Sequence, residues 1–203
     1  MSIQLRTGVA QDVTAIHALI TANLDAGHLL PRSFEDVEEH AHRFVVAVGD
    51  EGVIGCGELA PLSGEVAEVR SLVVDEAKRG QKTGVALVTA LADRARELGY
   101  VTLCAFTHQP SHFIRLGFSI VPHVWVPEKI AHDCTSCPFF RRCGQYAVTL
   151  PLRDGVHVRP EQPAALIHGG RTVGARRPNV ERLQLQPSRA LEPVKEDAHA
   201  VPA

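Results

Sequence analysis

Hydrophobic positions along the first 150 residues change their period several times, and each change marks an element. After Gln11-Asp12, the residues Val13, Ile16, Leu19, Ile20 and Leu24 recur at helical spacing and predict a helix over 13–24. A short strand over 3–6 precedes it. Ser33, followed by Glu35 and Asp36, has the pattern of an N-cap with acids in the first turn, so a second helix is expected to about residue 42. Apolar runs at 44–48 and 53–59 flank the turn Asp50-Glu51-Gly52 and predict a hairpin. Strict alternation over 68–74 would set Val69, Ser71 and Val73 on one face of a strand and Glu68, Arg70, Leu72 and Val74 on the other. A strong helical pattern over 85–98 ends at Gly99, the usual place for a C-terminal glycine. Strands are expected at 101–106, 118–126 and 146–150, with a short helix over 111–116 closed by Gly117. Strands, a long crossover helix and further strands make a mixed α/β (α+β) domain of about 150 residues.

The pattern then stops. From about Arg153 no period survives, no aromatic residue occurs, and prolines recur at 160, 163, 178, 187, 193 and 202. Residues 1–150 are therefore expected to form the domain, with a 127–145 cysteine-containing insert, and 151–203 a disordered, proline-rich tail. A net charge of −2 provides no field for attracting nucleic acid or an anionic membrane. No signal-peptide pattern and no run of about 18 apolar residues is present, so a soluble cytoplasmic protein is expected.

The chemistry concentrates in residues 74–87. A strand ends, the basic turn Lys78-Arg79-Gly80-Gln81-Lys82-Thr83-Gly84 follows, and a helix begins. Such a turn points backbone N–H groups and the positive end of a helix into one small volume, an anion site suited to a diphosphate. An ordinary glycine-rich connection is the plainer alternative. Neither a Walker loop nor the dinucleotide-binding glycine fingerprint fits the spacing.

Arg79, Gly80, Gln81, Gly84, Ala86 and Leu87 resemble the acetyl-CoA loop of the GNAT acetyltransferase superfamily. Lys82 stands where the first glycine is usual, and Glu76 where proline is usual. The resemblance implies a central mixed, mostly antiparallel sheet flanked by helices, with acetyl-CoA as co-substrate. Its diphosphate would lie on the backbone N–H groups of Gln81, Lys82, Thr83, Gly84, Val85 and Ala86, beside Arg79 and Gly80. Backbone groups of Leu72 and Val74 would pair with the pantetheine arm as if it were an added strand.

Further segments resemble the acetyltransferase domain of N-acetylglutamate synthases. They are Leu29-Leu30-Pro31-Arg32-Ser33, Gly55-Cys56-Gly57-Glu58-Leu59, Ala67-Glu68-Val69-Arg70-Ser71-Leu72, Phe113-x-x-x-Gly117-Phe118 and Pro127-Glu128-Lys129. No kinase-like domain precedes them, so a short, stand-alone form is expected. The implied reaction moves acetyl to the amino group of L-glutamate, the opening step of arginine biosynthesis. In that reading Glu68 is the base and Arg32 binds the side-chain carboxylate. Arg141 is a second contact, and Leu30, Arg70 and Ser71 complete the acceptor site. Phe113 falls where many members carry a tyrosine acid, leaving Thr107 or His112 as proton donor. For Glu68 a simple ion pair with Arg70 stays open. So do a different small amine as acceptor, a non-catalytic acetyl-CoA-binding module, and a homodimer.

Cys56 and Cys104 sit in apolar strands and read as small core residues. Cys134, Cys137 and Cys143, with His132 nearby, form a C-x2-C followed by a third cysteine. Structural or redox thiols, a zinc site and an iron–sulfur site all remain open, because the second ligand pair that makes zinc specific is missing.

Overall fold

The computed structural model describes residues 3–24 and 29–154, so the expectation for the tail lies, from residue 155 onward, outside the described residues. Seven strands form a single sheet: β1 Gln4–Thr7, β2 Phe44–Gly49, β3 Gly52–Pro61, β4 Val66–Val74, β5 Thr102–Thr107, β6 Ser119–Val121 and β7 Tyr146–Pro151. Their order is β1-β2-β3-β4-β5-β7-β6. Every neighbouring pair is antiparallel except β4 and β5. A parallel pair needs a crossover, and helix α3 (Thr83–Glu97) provides it.

The sheet lies between two apolar layers. Leu87, Val88, Leu91, Ala92 and Ala95 recur at helical spacing and carry the buried face of α3 onto Val45, Ala47, Val69 and Leu103. Burying each such leucine contributes about 1.5–3 kcal/mol. Gly55 and Gly57 of β3 make the approach close. A Cβ at Gly57 would stand 2.9 Å from Leu91 Cδ1, and one at Gly55 would stand 3.3 Å from Leu87 Cδ1. On the other side, helix α1 (Val13–Ala22) buries Val13, Ile16 and Ile20 with Val37 of helix α2 (Phe34–Glu39) against Phe44, Val46, Cys56 and Val73.

Two departures from the expected pattern shape the site. The alternation along β4 breaks: Cys56 pairs with Val73 and Glu58 with Arg70, so two residues of β4 oppose Gly57. That extra residue is a β-bulge, and Ser71 within it has φ +47°, a left-handed conformation uncommon for serine. Beyond the bulge the faces exchange. Leu72 and Val74 join Val69 on the α3 side, whereas Val73 joins Cys56 on the α1 side. The strand expected over 118–126 is only Ser119–Val121, because Pro122 lacks the N–H that continued pairing needs. A 3-10 turn at His123–Trp125 follows, then helix α5 (Pro127–His132), with Pro127 in the favoured first position.

The remaining elements follow the sequence closely. Helix α2 is capped by Ser33, whose Oγ accepts the Asp36 N–H at 3.1 Å. It stops at Glu39, short of the expected 42. Helix α3 opens at Thr83, two residues before the expected start, and Gly99 has the positive φ of a C-terminal glycine. Helix α4 is only Ser111–Ile114. Among the described residues no helix is long and apolar enough to cross a membrane.

Candidate active site

Strands β4 and β5 pair over only three positions, from Val66 with Thr102 to Glu68 with Cys104. Beyond Glu68 they part, leaving the Arg70–Val74 edge of β4 without a strand on that side. The opening is a cleft of about 1220 Å³ lined by β4, the start of α3, the end of β5, α4 and the 129–139 segment. An unpaired strand edge in a cleft is a template for an extended ligand. Leu72, inside the bulge, has no register partner on β3 or β5, while the Val74 carbonyl accepts Arg79 Nε at 3.3 Å.

One end of the cleft is the basic turn. Gly80 (φ +83°) and Lys82 (φ +61°) are both left-handed, which turns successive N–H groups the same way. Among the described residues, the N–H groups of residues 80–85 meet no backbone acceptor. Ala86 differs from the expectation, because its N–H already donates to the Lys82 carbonyl at 3.0 Å. Gln81 faces a separate small cavity beside Ile3 and Lys78, so only its backbone is a candidate. Thr83 is 3% exposed, and its Oγ1 is buried with no protein partner. His112 Nε2 is likewise buried without a well-formed hydrogen bond; its ring lies over Gly84, whose backbone is a weak partner, and burial holds the imidazole below its usual pKa. Two orphaned polar atoms beside free N–H groups fit a phosphate-bearing ligand. His112 lines the same cleft as Thr107, with its ring against Gly84.

The other end is a web of side chains. Arg32 is held from three sides: Nη1 donates to Glu58 Oε2 (2.7 Å) and to Ser71 Oγ (3.3 Å), and Nε donates to Asp36. Glu58 is 1% exposed, so this ion pair is largely removed from water. Glu68, 3% exposed, accepts from Arg70 Nε and lies 2.8 Å from Lys129 Nζ. Arg70 Nη2 and Lys129 Nζ both reach Asp133 Oδ2, the latter at 2.7 Å. Glu68, Lys129, Asp133 and Arg70 therefore close a ring of alternating charge. Across the opening, Thr107 Oγ1 accepts the Gln109 N–H at 3.0 Å, leaving its own O–H to donate.

The expected residues meet, with exceptions. Leu30, Arg32, Glu68, Arg70, Ser71, Leu72, Val74, Arg79, Gly80, Lys82, Thr83, Gly84, Val85 and Thr107 all line this cleft. The Arg141 side chain lies outside what the structure describes. Glu68 makes the ion pair with Arg70 that the sequence left open, and it also faces the cleft. Sequence reasoning gave no role to Glu58, Lys129 or Asp133; a charged residue at the centre of an apolar strand was the available signal for Glu58.

A profile of the acetyltransferase (GNAT) family matches residues 13–118. An uncharacterized N-acetyltransferase of Chlorobaculum tepidum is 32% identical over 148 residues, covering 73% of this chain and 96% of that protein. The chain belongs to the GNAT acetyltransferase family. Within it, the amino-acid acetyltransferase of Vibrio cholerae is 30% identical over 120 residues, spanning 58% of this chain but 27% of that enzyme. The N-acetylglutamate synthase of Neisseria gonorrhoeae, solved with coenzyme A and N-acetyl-glutamate, shares the fold with a TM-score of 0.67. It is 24% identical, over 75% of this chain and 36% of that one.

The cysteines divide by environment. Cys56 and Cys104 are fully buried; burial pushes the Cys56 thiol up to about 12 and Cys104 well above its usual range, as inert core residues. Cys134, Cys137 and Cys143 are free thiols. Among the described residues no group of three or more His, Cys, Asp or Glu side chains is arranged to hold a metal.

Proposed function

We propose that this GNAT acetyltransferase moves acetyl from acetyl-CoA to the amino group of L-glutamate by direct transfer. The observation that carries the reading is a cleft with a backbone anion site at one end and arginine and lysine side chains at the other. The relatives named amino-acid acetyltransferase support an amino acid as acceptor, and the Neisseria structure, solved with N-acetyl-glutamate, favours glutamate among them.

Each group in the cleft then has a task. Backbone N–H groups of residues 80–85 hold the diphosphate, and the free edge of β4 at Leu72 aligns the pantetheine arm. Acetyl-CoA supplies the activated acetyl thioester. Arg32, with Ser71 and the Leu30 main chain, orients the acceptor's carboxylates. The Glu68 carboxylate, where β4 and β5 separate, takes the ammonium proton directly or through a water, because only a neutral amine is nucleophilic. An N–H near Leu72 faces the thioester oxygen. Thr107, its oxygen already accepting from Gln109, directs its O–H at the leaving sulfur and relays to it a proton drawn from water, so that coenzyme A leaves as the thiol and the threonine hydroxyl is restored. Such a route would open arginine biosynthesis.

One observation favours a second acceptor class. Arg32, Arg70 and Lys129 are already matched by Asp36, Glu58, Glu68 and Asp133, a balance that also accommodates a less acidic amine. The deciding experiment is an acceptor screen with acetyl-CoA, read as free thiol release. L-Glutamate should exceed L-glutamine and carboxylate-free amines by about tenfold or more, since each lost carboxylate removes a charge-assisted hydrogen bond. It should exceed L-aspartate because a side chain one methylene shorter holds its carboxylate away from Arg32. Faster turnover of a carboxylate-free amine would favour the second class. Coenzyme A binding without turnover of any amine would indicate a binding module.

A further inference from the structure

The ring of charge beside Glu68 has one member unlike the others. Glu68 sits on β4 with its side chain 4% exposed, and both of its oxygens lie within reach of Lys129 Nζ, at 2.8 and 2.9 Å. Lys129 is also fixed: its side chain is 13% exposed, and Nζ lies 5.3 Å over the Phe106 ring. Asp133 has a side chain 31% exposed, caps the six-residue α5, and opens directly into the 3-10 turn Cys134–Ser136. One carboxylate oxygen of Asp133 takes a donor from Arg70 and a donor from Lys129 at once. All three residues line the cleft.

A carboxylate bridging a guanidinium and an ammonium at a cleft wall is the arrangement a carboxylate-bearing ligand would adopt there. We propose that Asp133 and the acceptor's carboxylate compete for the same donors, Arg70 and Lys129, so that Asp133 sets the affinity for acidic acceptors. The proposal rests on the amino-acid acceptor reading above. Arg70 and Lys129 thereby become a carboxylate-binding pair, and Asp133 a specificity-determining residue that raises the acceptor concentration needed for half-saturation. Glu68 is not exchanged in this way, because it is the more deeply buried partner. Asp133 is the exchangeable one, since its side chain is the most exposed of the four ring members, its other oxygen keeps the exposed His132 Nδ1 at 2.8 Å, and its backbone belongs to a short helix end.

The test compares Asp133→Asn and Lys129→Met with the unaltered protein. Two readouts are used: the acceptor KM in thiol-release assays with L-glutamate, and binding of glutarate, a dicarboxylate without an amine. Fluorescence of Trp125, the single tryptophan, four residues before Lys129, reports glutarate binding without turnover. Asp133→Asn should tighten glutarate and lower the glutamate KM by roughly 2- to 5-fold, the scale of one partly exposed ion pair. Lys129→Met should weaken both by roughly tenfold or more. The KM for acetyl-CoA should hold in each variant. Were Asp133 only a tie between α5 and β4, Asp133→Asn would leave glutarate binding unchanged or weaken it, and the proposal would be overturned. Tighter glutarate binding in Asp133→Asn without glutamate turnover by any form would uphold the competition and reject glutamate as acceptor.

Discussion

The two ends of the cleft are made of different material. The end at the start of α3 is backbone: free N–H groups over residues 80–85, aimed by the left-handed Gly80 and Lys82. The end at Glu68 is side chains, brought from the segment before α2, from β3, from β4 and from α5, and locked by mutual ion pairs. A backbone site depends on dihedral angles and tolerates exchange of side chains. A side-chain site depends on every partner and tolerates little. The same fold can thus keep one co-substrate while its acceptor end changes.

That contrast has a strong test at Glu68. Glu68→Gln should lower kcat by about 100-fold or more, the usual range for losing a positioned base, while coenzyme A affinity stays unchanged. Full activity in this variant would remove Glu68 as the base, and an equal loss of coenzyme A affinity would show that the two ends are not separable. Glu58→Ala reaches the acceptor end from beneath. It leaves the Arg32 guanidinium without its buried counter-charge, though Asp36 remains, and should cost about 2–4 kcal/mol of stability in denaturant unfolding. A change near zero would mean that the Arg32–Glu58 pair does not hold this end together. The smallest effect is expected at the backbone end. Lys82→Gly relieves a left-handed lysine worth about 1 kcal/mol, partly offset by the greater freedom of glycine in the unfolded chain. Stability should shift by less than about 1 kcal/mol, with coenzyme A binding kept; lost binding would assign the Lys82 side chain a direct role.

The same contrast explains what the sequence disclosed. A turn between a strand and a helix is contiguous, so the sequence alone could single out residues 79–86 as a candidate anion site, and the structure removes only the Ala86 N–H from it. Periodicity located α1, α3 and the hairpin β2–β3 for the same reason, since each is encoded within its own window. It failed along β4, where one inserted residue at Ser71 exchanges the faces of everything after it. Alternation counts residues, and a bulge is invisible to counting. Pro122 offered a local warning that the strand before it would be short. The charge ring joins Glu68 to Lys129 and Asp133, more than sixty positions away, and only the way β5, β7 and α5 fold back beside β4 brings them together. Resemblance gave Arg32 a role but left Glu58, which lies in one of the resembling segments, without one, although it is the strand carboxylate that holds Arg32 in place.

The central claim is that backbone N–H groups entering α3 hold the diphosphate of the co-substrate. Calorimetric titration with coenzyme A and with pantetheine, which carries the same thiol arm without the diphosphate, tests it directly. The account predicts that coenzyme A binds at least about 100-fold more tightly, the scale of two charge-assisted hydrogen bonds. Equal affinity for the two would contradict it.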